Sequence, residues 1–194
     1  MEMSFTVWFT GLPCSGKTTL SQKLFHYLKN RHLPVHLLDG DLIRAKLPQP
    51  LSFNRHDRDL HGRRLGALSL ELNQKGIISL VAAIAPYRET RAHNRRLLPH
   101  YVEVYCRCTL EVAESRDVRG LYARARQGQI PNFTGISDPY EEPLNPEVTL
   151  YTDRDDVETC FHLLVDFLNK SGLLTRAQEF LKTQRLTRLA SSIL

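Results

Sequence analysis

The segment from Gly11 to Thr18 constrains this chain more than any other, because its letters GLPCSGKT match the phosphate-binding pattern G-x-x-x-x-G-K-[ST] at every fixed position. A β-branched and aromatic run, Phe5 to Thr10, comes before it, and apolar residues at helical spacing follow from Thr19 to Lys29. Strand, glycine-rich turn and helix therefore occur in the order that a nucleoside triphosphate site requires. In such a turn, backbone N–H groups and the positive end of the helix bind phosphate oxygens.

The last residues of this P-loop have separate expected roles. Lys17 would reach the β- and γ-phosphates, and the Thr18 hydroxyl would bind Mg²⁺. We expect the Lys17 side chain to point into a solvated loop. The pattern thus predicts a nucleoside triphosphate and Mg²⁺ as cofactors, with the triphosphate held by Gly11, Cys14, Ser15, Gly16, Lys17, Thr18 and Thr19.

The composition is that of a single globular domain, with 194 residues of which 42% are hydrophobic. No apolar stretch approaches the roughly 20 residues of a membrane span, and residues 1–6 lack the layout of a signal peptide. We therefore expect a cytoplasmic protein that has no membrane partner. The net charge of +5 comes from arginines spread along the chain, so we expect an anionic small molecule, and no nucleic acid, as the partner. The cysteines at 14, 106, 108 and 160 indicate buried or idle thiols rather than a metal site, because no second Cys or His pair follows at zinc spacing.

Strand and helix patterns alternate along the chain, which predicts an α/β fold with a doubly wound parallel sheet of the P-loop nucleotide-kinase type. Residues 34–38 indicate a second buried strand, and residues 77–85, the most apolar stretch, indicate a central strand buried on both faces. Further strands are expected at 101–106 and 147–151, a brief helix within 42–52, and helices at 57–74, 86–98 and 155–169, the last capped near Asp153 or Asp155.

The predicted domain organisation is a kinase domain over residues 1–174 followed by a C-terminal tail over 175–194. Within the domain, about residues 116–146 change to Arg, Gly, Pro and Asn with few apolar anchors, which is the composition of a mobile lid. The tail would form a helix with Leu181, Leu186 and Leu189 as its apolar stripe.

Two carboxylates follow the second strand, in Asp39-Gly40-Asp41. Open α/β sheets bind ligands at this carboxyl edge, and phosphoryl transfer needs a carboxylate near the metal. Asp39 would contact the metal and its water shell or act as the base for the acceptor hydroxyl, and Asp41 would contact the acceptor or the metal. Their order stays open, and a strand-end turn that simply favours Asp and Gly is the alternative. Lys17, Asp39 and Asp41 are thus the predicted catalytic residues, and Thr18 and Asp39 the predicted metal ligands.

Several further segments are distinctive together: Ile43-Arg44, Phe53, Asp57-Arg58, Arg63-Arg64-Leu65-Gly66, Ile84, Pro86-Tyr87-Arg88, Arg116-Asp117-Val118, Gly120-Leu121-Tyr122 and Asn132-Phe133-Thr134-Gly135-Ile136. With the P-loop and the acidic pair, they resemble the adenylylsulfate kinase family from about Val7 to Leu174. Members of that family phosphorylate the 3′-hydroxyl of adenosine 5′-phosphosulfate (APS) to give PAPS in sulfate assimilation. The resemblance implies the same reaction here, and a homodimer.

The resemblance also assigns roles around the acceptor. Arg44 and Arg58 would hold the phosphosulfate end, and the rings of Phe53 and Phe133, which by local context are unlikely core residues, would stack on the adenine. Arg116 in the lid would touch ATP. The acceptor site implied in this way contains Asp41, Arg44, Phe53, Arg58, His61, Ile84, Ala85, Arg119, Asn132 and Phe133.

The chain departs from the family pattern at Leu42 and His61, where asparagine is usual, at Ala85, where serine is usual, and at Arg119, where lysine is usual. These departures leave open a kinase of the same fold that acts on another activated nucleotide, such as a cytidine diphosphate derivative. A non-catalytic ATP-binding module is a third hypothesis. Five further arginines lie in the predicted basic helices, and for each of them a solvated position on the helix surface stays open as the alternative to a role at the site. They are Arg63, Arg64, Arg91, Arg95 and Arg96.

Overall fold

A parallel β-sheet forms the centre of the protein. The structure is a computed structural model, and it describes the backbone of residues 4–191 and the side chains of residues 4–183. The strands are β1 (Thr6–Thr10), β2 (Val35–Asp39), β3 (Ile78–Ala82), β4 (Tyr101–Arg107) and β5 (Val148–Tyr151), in the order β2-β3-β1-β4-β5. All neighbouring pairs are parallel, which confirms the predicted fold class.

Helices cover both faces of the sheet because neighbouring residues of a strand point to opposite sides. Val7 and Phe9 of β1 pack with Leu24 in one hydrophobic cluster, whereas Trp8 packs with Leu65 in another. In chain order the helices of the described part are α1 (Lys17–Asn30), α2 (Gly40–Ala45), α3 (Arg55–Gln74), α4 (Arg88–Leu97), α5 (Leu110–Ser115), α6 (Leu121–Arg126), α7 (Val157–Lys170) and α8 (Leu173–Ser191).

Two strand predictions need correction. The strand predicted at residues 34–38 is β2, and it is not buried throughout, since it forms an edge of the sheet and only Leu38 in it is fully enclosed. The strand predicted at 77–85 is buried as expected, but it ends at Ala82. Ala85 has a φ of 44°, so the backbone has left the extended conformation before this residue.

Capping residues explain where α7 begins and where α3 ends. Asp156, rather than Asp153 or Asp155, caps α7, because its side chain accepts the backbone N–H of Thr159 at 2.7 Å. Gly76 follows α3 with a φ of 72°, the left-handed conformation that ends a helix without strain at glycine.

The helix α8 begins at Leu173, two residues before the predicted start of the tail. Leu173, Leu174 and Ala177 belong to the same buried cluster as α1 and α7, and Leu181 packs against that cluster. The side chains of Leu186 and Leu189 lie outside the described residues.

The predicted lid segment has more apolar anchors than its composition suggested. It contains the helix α6, and Tyr122 and Ala125 of this helix are buried with Phe133 in a third cluster. The rings of Tyr122 and Phe133 meet edge to face, with centroids 4.9 Å apart. The expectation that Phe133 is an unlikely core residue is therefore wrong, because a lid of this size builds its own small core.

Over the described part of the chain, none of the helices combines the length and the apolarity needed to cross a bilayer.

Candidate active site

One large cavity, of about 1190 Å³, opens at the carboxyl end of the sheet. The P-loop, the acidic turn after β2, the segment after β3 and the lid all contribute to its wall. Most of the predicted site residues line it, and these are Cys14, Ser15, Gly16, Lys17, Thr18, Thr19, Asp39, Asp41, Arg44, Phe53, Arg58, Ile84, Arg116, Arg119, Asn132 and Phe133. Residues that are more than 100 positions apart in the sequence are thus brought to one site.

The P-loop turns sharply between β1 and α1. Gly11 does not line the cavity, and its role is in the backbone. A Cβ atom at Gly11 would lie 2.5 Å from the carbonyl oxygen of Cys106 on β4, so no other residue fits there. Gly16, with a φ of 87°, leads into α1, and the first residues of this helix, Lys17, Thr18 and Thr19, line the cavity, as a phosphate site at a helix N-terminus requires.

Lys17 is buried rather than solvated, which corrects the expectation from sequence. Only 9% of it is exposed, and its Nζ atom donates to the carbonyl oxygens of Gly11 at 3.0 Å and Leu12 at 2.6 Å. Burial lowers the pKa of the Lys17 ammonium, because removal from water disfavours the charged form. The carbonyl oxygens keep the ammonium beside the P-loop, within the cavity wall.

The acidic turn after β2 does two things at once. Oδ1 of Asp39 accepts the backbone N–H groups of Asp41 at 3.0 Å and Leu42 at 3.1 Å, so Asp39 is the N-cap of α2. Asp39 therefore does have the structural role that the sequence offered as the alternative, in a strand-end turn that favours Asp. Asp39 and Asp41 also both line the cavity, so capping does not remove them from the site.

Two arginines converge on Phe53, and all three residues line the cavity. Arg44 donates to the carbonyl oxygen of Ser52 at 2.8 Å, and Arg58 donates to the carbonyl oxygens of Phe53 and Asn132, both at 2.7 Å. Their guanidinium carbons lie 4.9 and 5.3 Å from the centre of the Phe53 ring. Burial lowers the pKa of both guanidinium groups, and the charge of Arg58 lowers the pKa of Arg44 further. Two close cations, of which Arg58 has Asp138 as a carboxylate partner only at 3.9 Å, form a site suited to an anionic ligand.

The two phenylalanines differ in exposure, although both line the cavity. Phe53 is 48% exposed, whereas Phe133 is 8% exposed and packs on Tyr122. Arg58 connects their two segments, since it bonds the carbonyl oxygens of Phe53 and Asn132.

His61 and Ala85, both predicted acceptor residues, do not line the cavity. His61 is 6% exposed, and its Nε2 atom lies 2.9 Å from the carbonyl oxygen of Gly40, beneath the acidic turn. Ala85 is 8% exposed, and its carbonyl oxygen points to the guanidinium of Arg91. Leu42 is exposed and also lies outside the cavity lining. Three of the departures from the family pattern therefore lie around the cavity and not in its wall.

Arg116 and Arg119 line the cavity at the start of the lid. Arg116 donates to the carbonyl oxygen of Thr152 at 2.7 Å, which connects the lid to the segment after β5. The Thr152 hydroxyl in turn lies 3.0 Å from the carbonyl oxygen of Ser15 in the P-loop.

Sequence reasoning gave no role at the site to Thr152, Tyr122 or Arg91. Thr152 lines the cavity, and the Tyr122 hydroxyl donates to the carbonyl oxygen of Pro13 in the P-loop at 2.9 Å. Arg91 is 3% exposed, so a solvated helix face is wrong for this arginine. The signal that could have found Arg91 is its spacing, since it lies on the same face of α4 as the buried Asn94.

The donors present fit magnesium with a nucleotide. Among residues 4–183, no three His, Cys, Asp or Glu side chains form a metal-binding group. Mg²⁺ needs no such group, since it usually takes one or two protein carboxylates together with phosphate oxygens and water. The Thr18 hydroxyl and the Asp39 and Asp41 carboxylates all line the cavity and are oxygen donors of this kind.

Comparison with known proteins gives a consistent result. A family model described as Adenylylsulphate kinase matches residues 3–151. The adenylyl-sulfate kinase of Halothermothrix orenii is 44% identical over 180 residues, which cover 93% of this chain and 97% of that protein. The structure of a Mycobacterium tuberculosis APS kinase in complex with AMPPNP and APS is 38% identical, with a TM-score of 0.80, over 86% of this chain and 98% of that one. A hexameric APS kinase from Thiobacillus denitrificans is 29% identical, with a TM-score of 0.66, over 88% of this chain and 29% of that one.

Proposed function

This chain belongs to the adenylylsulphate kinase family, and on that premise we propose that it transfers the γ-phosphoryl group of ATP to the 3′-hydroxyl of APS to give PAPS. The observation that carries the proposal is the single cavity that joins Lys17 and Thr18 of the P-loop to Arg44, Phe53 and Arg58. Its volume of about 1190 Å³ exceeds that of an ordinary small-molecule site. Such a volume is suited to two nucleotides bound end to end.

At the donor end, catalysis depends on neutralising phosphate charge. The N-terminus of α1 and the Lys17 ammonium would bind the phosphates of ATP, and Arg116 would contact its remaining part. We propose that Thr18 and Asp39 hold Mg²⁺, which supplies further charge neutralisation when it is bound. The bonds of the Lys17 ammonium to two P-loop carbonyl oxygens support this role, because a group already held beside the loop needs little reorganisation.

At the acceptor end, binding depends on charge and stacking. Arg44 and Arg58 would take the phosphosulfate, and Phe53 and Phe133 would take the adenine. Asp41 or Asp39 would accept the proton of the 3′-hydroxyl as the phosphoryl group leaves ADP. The lid would exclude water, which otherwise competes with that hydroxyl.

A cytidine diphosphate derivative as acceptor has less support than the sequence alone gave it. That alternative depended on Leu42, His61 and Ala85, and none of them lines the cavity. A non-catalytic module is likewise disfavoured, because Lys17, Thr18, Asp39 and Asp41 all line the same cavity.

The experiment is a coupled assay of ADP release with APS, AMP and a cytidine diphosphate derivative as acceptors. We expect APS to give the highest kcat/KM, and the product to carry its new phosphate on the ribose 3′-hydroxyl. ADP release with APS no higher than in the acceptor-free control would overturn the proposal. Omission of Mg²⁺ and addition of EDTA test the metal in the same assay.

We also propose that the protein is a cytoplasmic homodimer that serves sulfate assimilation. We further propose that it binds neither nucleic acid nor a membrane. The hexameric relative described above supports self-association. Light scattering coupled to size exclusion would determine the number of subunits, and a monomer or a hexamer would contradict the homodimer.

A further inference from the structure

Arg91 lies in the interior of the protein, where its guanidinium forms an ion pair with one carboxylate and donates hydrogen bonds to two carbonyl oxygens. Its Nε atom lies 3.0 Å from Oε1 of Glu103 on β4. One terminal nitrogen donates to the carbonyl oxygen of Ala85 at 2.6 Å, and the other donates to the carbonyl oxygen of Glu141. A guanidinium presents its N–H donors in a rigid fork, so a buried one holds its partners at fixed positions relative to each other.

The first of these carbonyl groups belongs to the segment that follows β3. Ile84, the residue before Ala85, lines the cavity, and its own carbonyl oxygen accepts the Thr10 hydroxyl at 2.6 Å. Ala85 has a φ of 44°, a left-handed conformation that residues with a side chain rarely adopt. The direction of the peptide groups here therefore depends on the bonds that hold them.

The second carbonyl group belongs to residues 138–142, the part of the lid that leads from Phe133 towards β5, which we call the return segment. Asp138 in this segment accepts the Tyr87 hydroxyl at 2.8 Å and lies 3.9 Å from Nε of Arg58. The return segment therefore contacts one of the two arginines at the acceptor end.

Tyr140 makes a second connection between the same parts. The single proton of the Thr10 hydroxyl is directed to Ile84, so the Tyr140 hydroxyl is the donor in its 2.9 Å bond to Thr10. The guanidinium of Arg91 lies over the Tyr140 ring, 5.7 Å from its centre.

We propose that Arg91 is a positioning residue, which holds the return segment against Ile84 and Ala85 and so sets the acceptor end of the cavity. Arg91 itself does not line the cavity, and it acts through Ile84 on one side and through Asp138 and Arg58 on the other. The inference rests on the proposed function, because it assigns this end of the cavity to the acceptor.

If Arg91 had only a structural role, its contribution would come from its ion pair with Glu103. Burial raises the pKa of the Glu103 carboxyl in spite of the two arginines beside it, so desolvation of the charged pair is unfavourable at this position. Arg95 offers a matched control on the same helix. It lies 3.3 Å from Glu103 and pairs with Glu147, and its bonds in the structure do not include Ala85 or Glu141.

The experiment compares Arg91→Lys with Arg95→Lys in the full chain. A lysine at either position keeps a cation near Glu103, but at 91 it cannot bond both carbonyl oxygens. We expect Arg91→Lys to raise the KM for APS about tenfold and to leave the KM for ATP within twofold, whereas Arg95→Lys should leave both within twofold. Equal changes in the two variants, or parallel changes in the KM for ATP and for APS, would overturn the inference.

Two further variants keep the test decisive if Arg91→Lys does not fold. Glu103→Gln removes the charge of the ion pair and keeps the carbonyl bonds of Arg91, so it should lower Tm without changing the KM for APS. Tyr140→Phe removes only the bond to Thr10 and should raise the KM for APS about threefold. An unchanged KM for APS in Tyr140→Phe, or a raised one in Glu103→Gln, would overturn the inference.

Binding measured without turnover separates this inference from the proposed function. Calorimetry of APS with AMPPNP present gives the acceptor affinity of each folded variant. An absence of ADP release by the wild type would count against the proposed function alone. Equal APS affinities for wild type and Arg91→Lys, or for wild type and Tyr140→Phe where Arg91→Lys does not fold, would count against Arg91.

Discussion

The imidazole of His61 lies beneath the carbonyl group of Gly40, with 2.9 Å between Nε2 and the oxygen. Since a carbonyl oxygen only accepts hydrogen bonds, Nε2 carries the proton and donates it. Gly40 lies between the two carboxylates of the acidic turn, so this bond from α3 fixes the backbone that carries Asp39 and Asp41.

We expect His61→Phe to lower kcat with APS about tenfold, because the Gly40 carbonyl group loses its donor and the acidic turn is no longer held. His61→Gln can still donate from its amide and should keep kcat within about threefold. Steady-state kinetics of the two variants check this. A wild-type kcat in a folded His61→Phe protein would show that the turn needs no support from α3.

Stability should decrease as the pH falls from about 6.5 to 4, in part because of the same histidine. Burial, and next the nearby Arg44 charge, lower the pKa of His61 from 6.5 to about 4. In that pH window the unfolded chain binds more protons at this residue than the folded one, so the free energy of unfolding falls as the pH falls. Urea unfolding at pH 7, 5.5 and 4.5 measures the decrease, which should be smaller for His61→Gln. An equal decrease in both proteins would contradict the assignment.

The sequence predicted the donor end of the site better than the acceptor end, for a physical reason. A P-loop binds phosphate through consecutive backbone groups and one lysine, so a local pattern is enough to find it. The positions of His61, Ala85 and Arg91 depend on how α3, α4 and the lid pack, and no local pattern contains that information. Phe133 shows the same limit, since its burial comes from Tyr122, which lies 11 positions earlier in the chain.

Replacement of Lys17 should abolish activity and also affect the fold slightly. Lys17→Met keeps much of the apolar stem and removes the charge that would bind the β- and γ-phosphates, so we expect ADP release to fall by at least about a thousandfold. Because the ammonium is buried on two carbonyl oxygens, a change in Tm of a few degrees should accompany the loss. Near-normal turnover in folded Lys17→Met would remove the P-loop lysine from the mechanism.

Replacement of Phe53 and of Phe133 by alanine should have different effects on Tm. Phe53 is half exposed, so Phe53→Ala should raise the KM for APS about tenfold to a hundredfold and leave Tm nearly unchanged. Phe133→Ala should raise the same KM and also lower Tm, because it leaves a gap beside Tyr122 in the lid cluster. The KM for ATP should stay within about twofold in Phe53→Ala. Equal loss of Tm in both variants would contradict the different packing of the two rings.

The last prediction assigns separate effects to the two carboxylates of the acidic turn. Asp39 caps α2 with one oxygen and lines the cavity, so Asp39→Asn keeps an oxygen for the cap and loses the charge that Mg²⁺ requires. We expect a fall in kcat of at least about a hundredfold, a raised Mg²⁺ requirement and a nearly unchanged Tm. Asp41 is not the cap, so Asp41→Asn should leave both Tm and the Mg²⁺ requirement unchanged, and should lower kcat if Asp41 is the base for the 3′-hydroxyl. A titration of Mg²⁺ against kcat for each variant checks the assignment. A raised Mg²⁺ requirement in Asp41→Asn alone would exchange the two roles, since loss of a metal ligand raises the concentration of metal that activity needs.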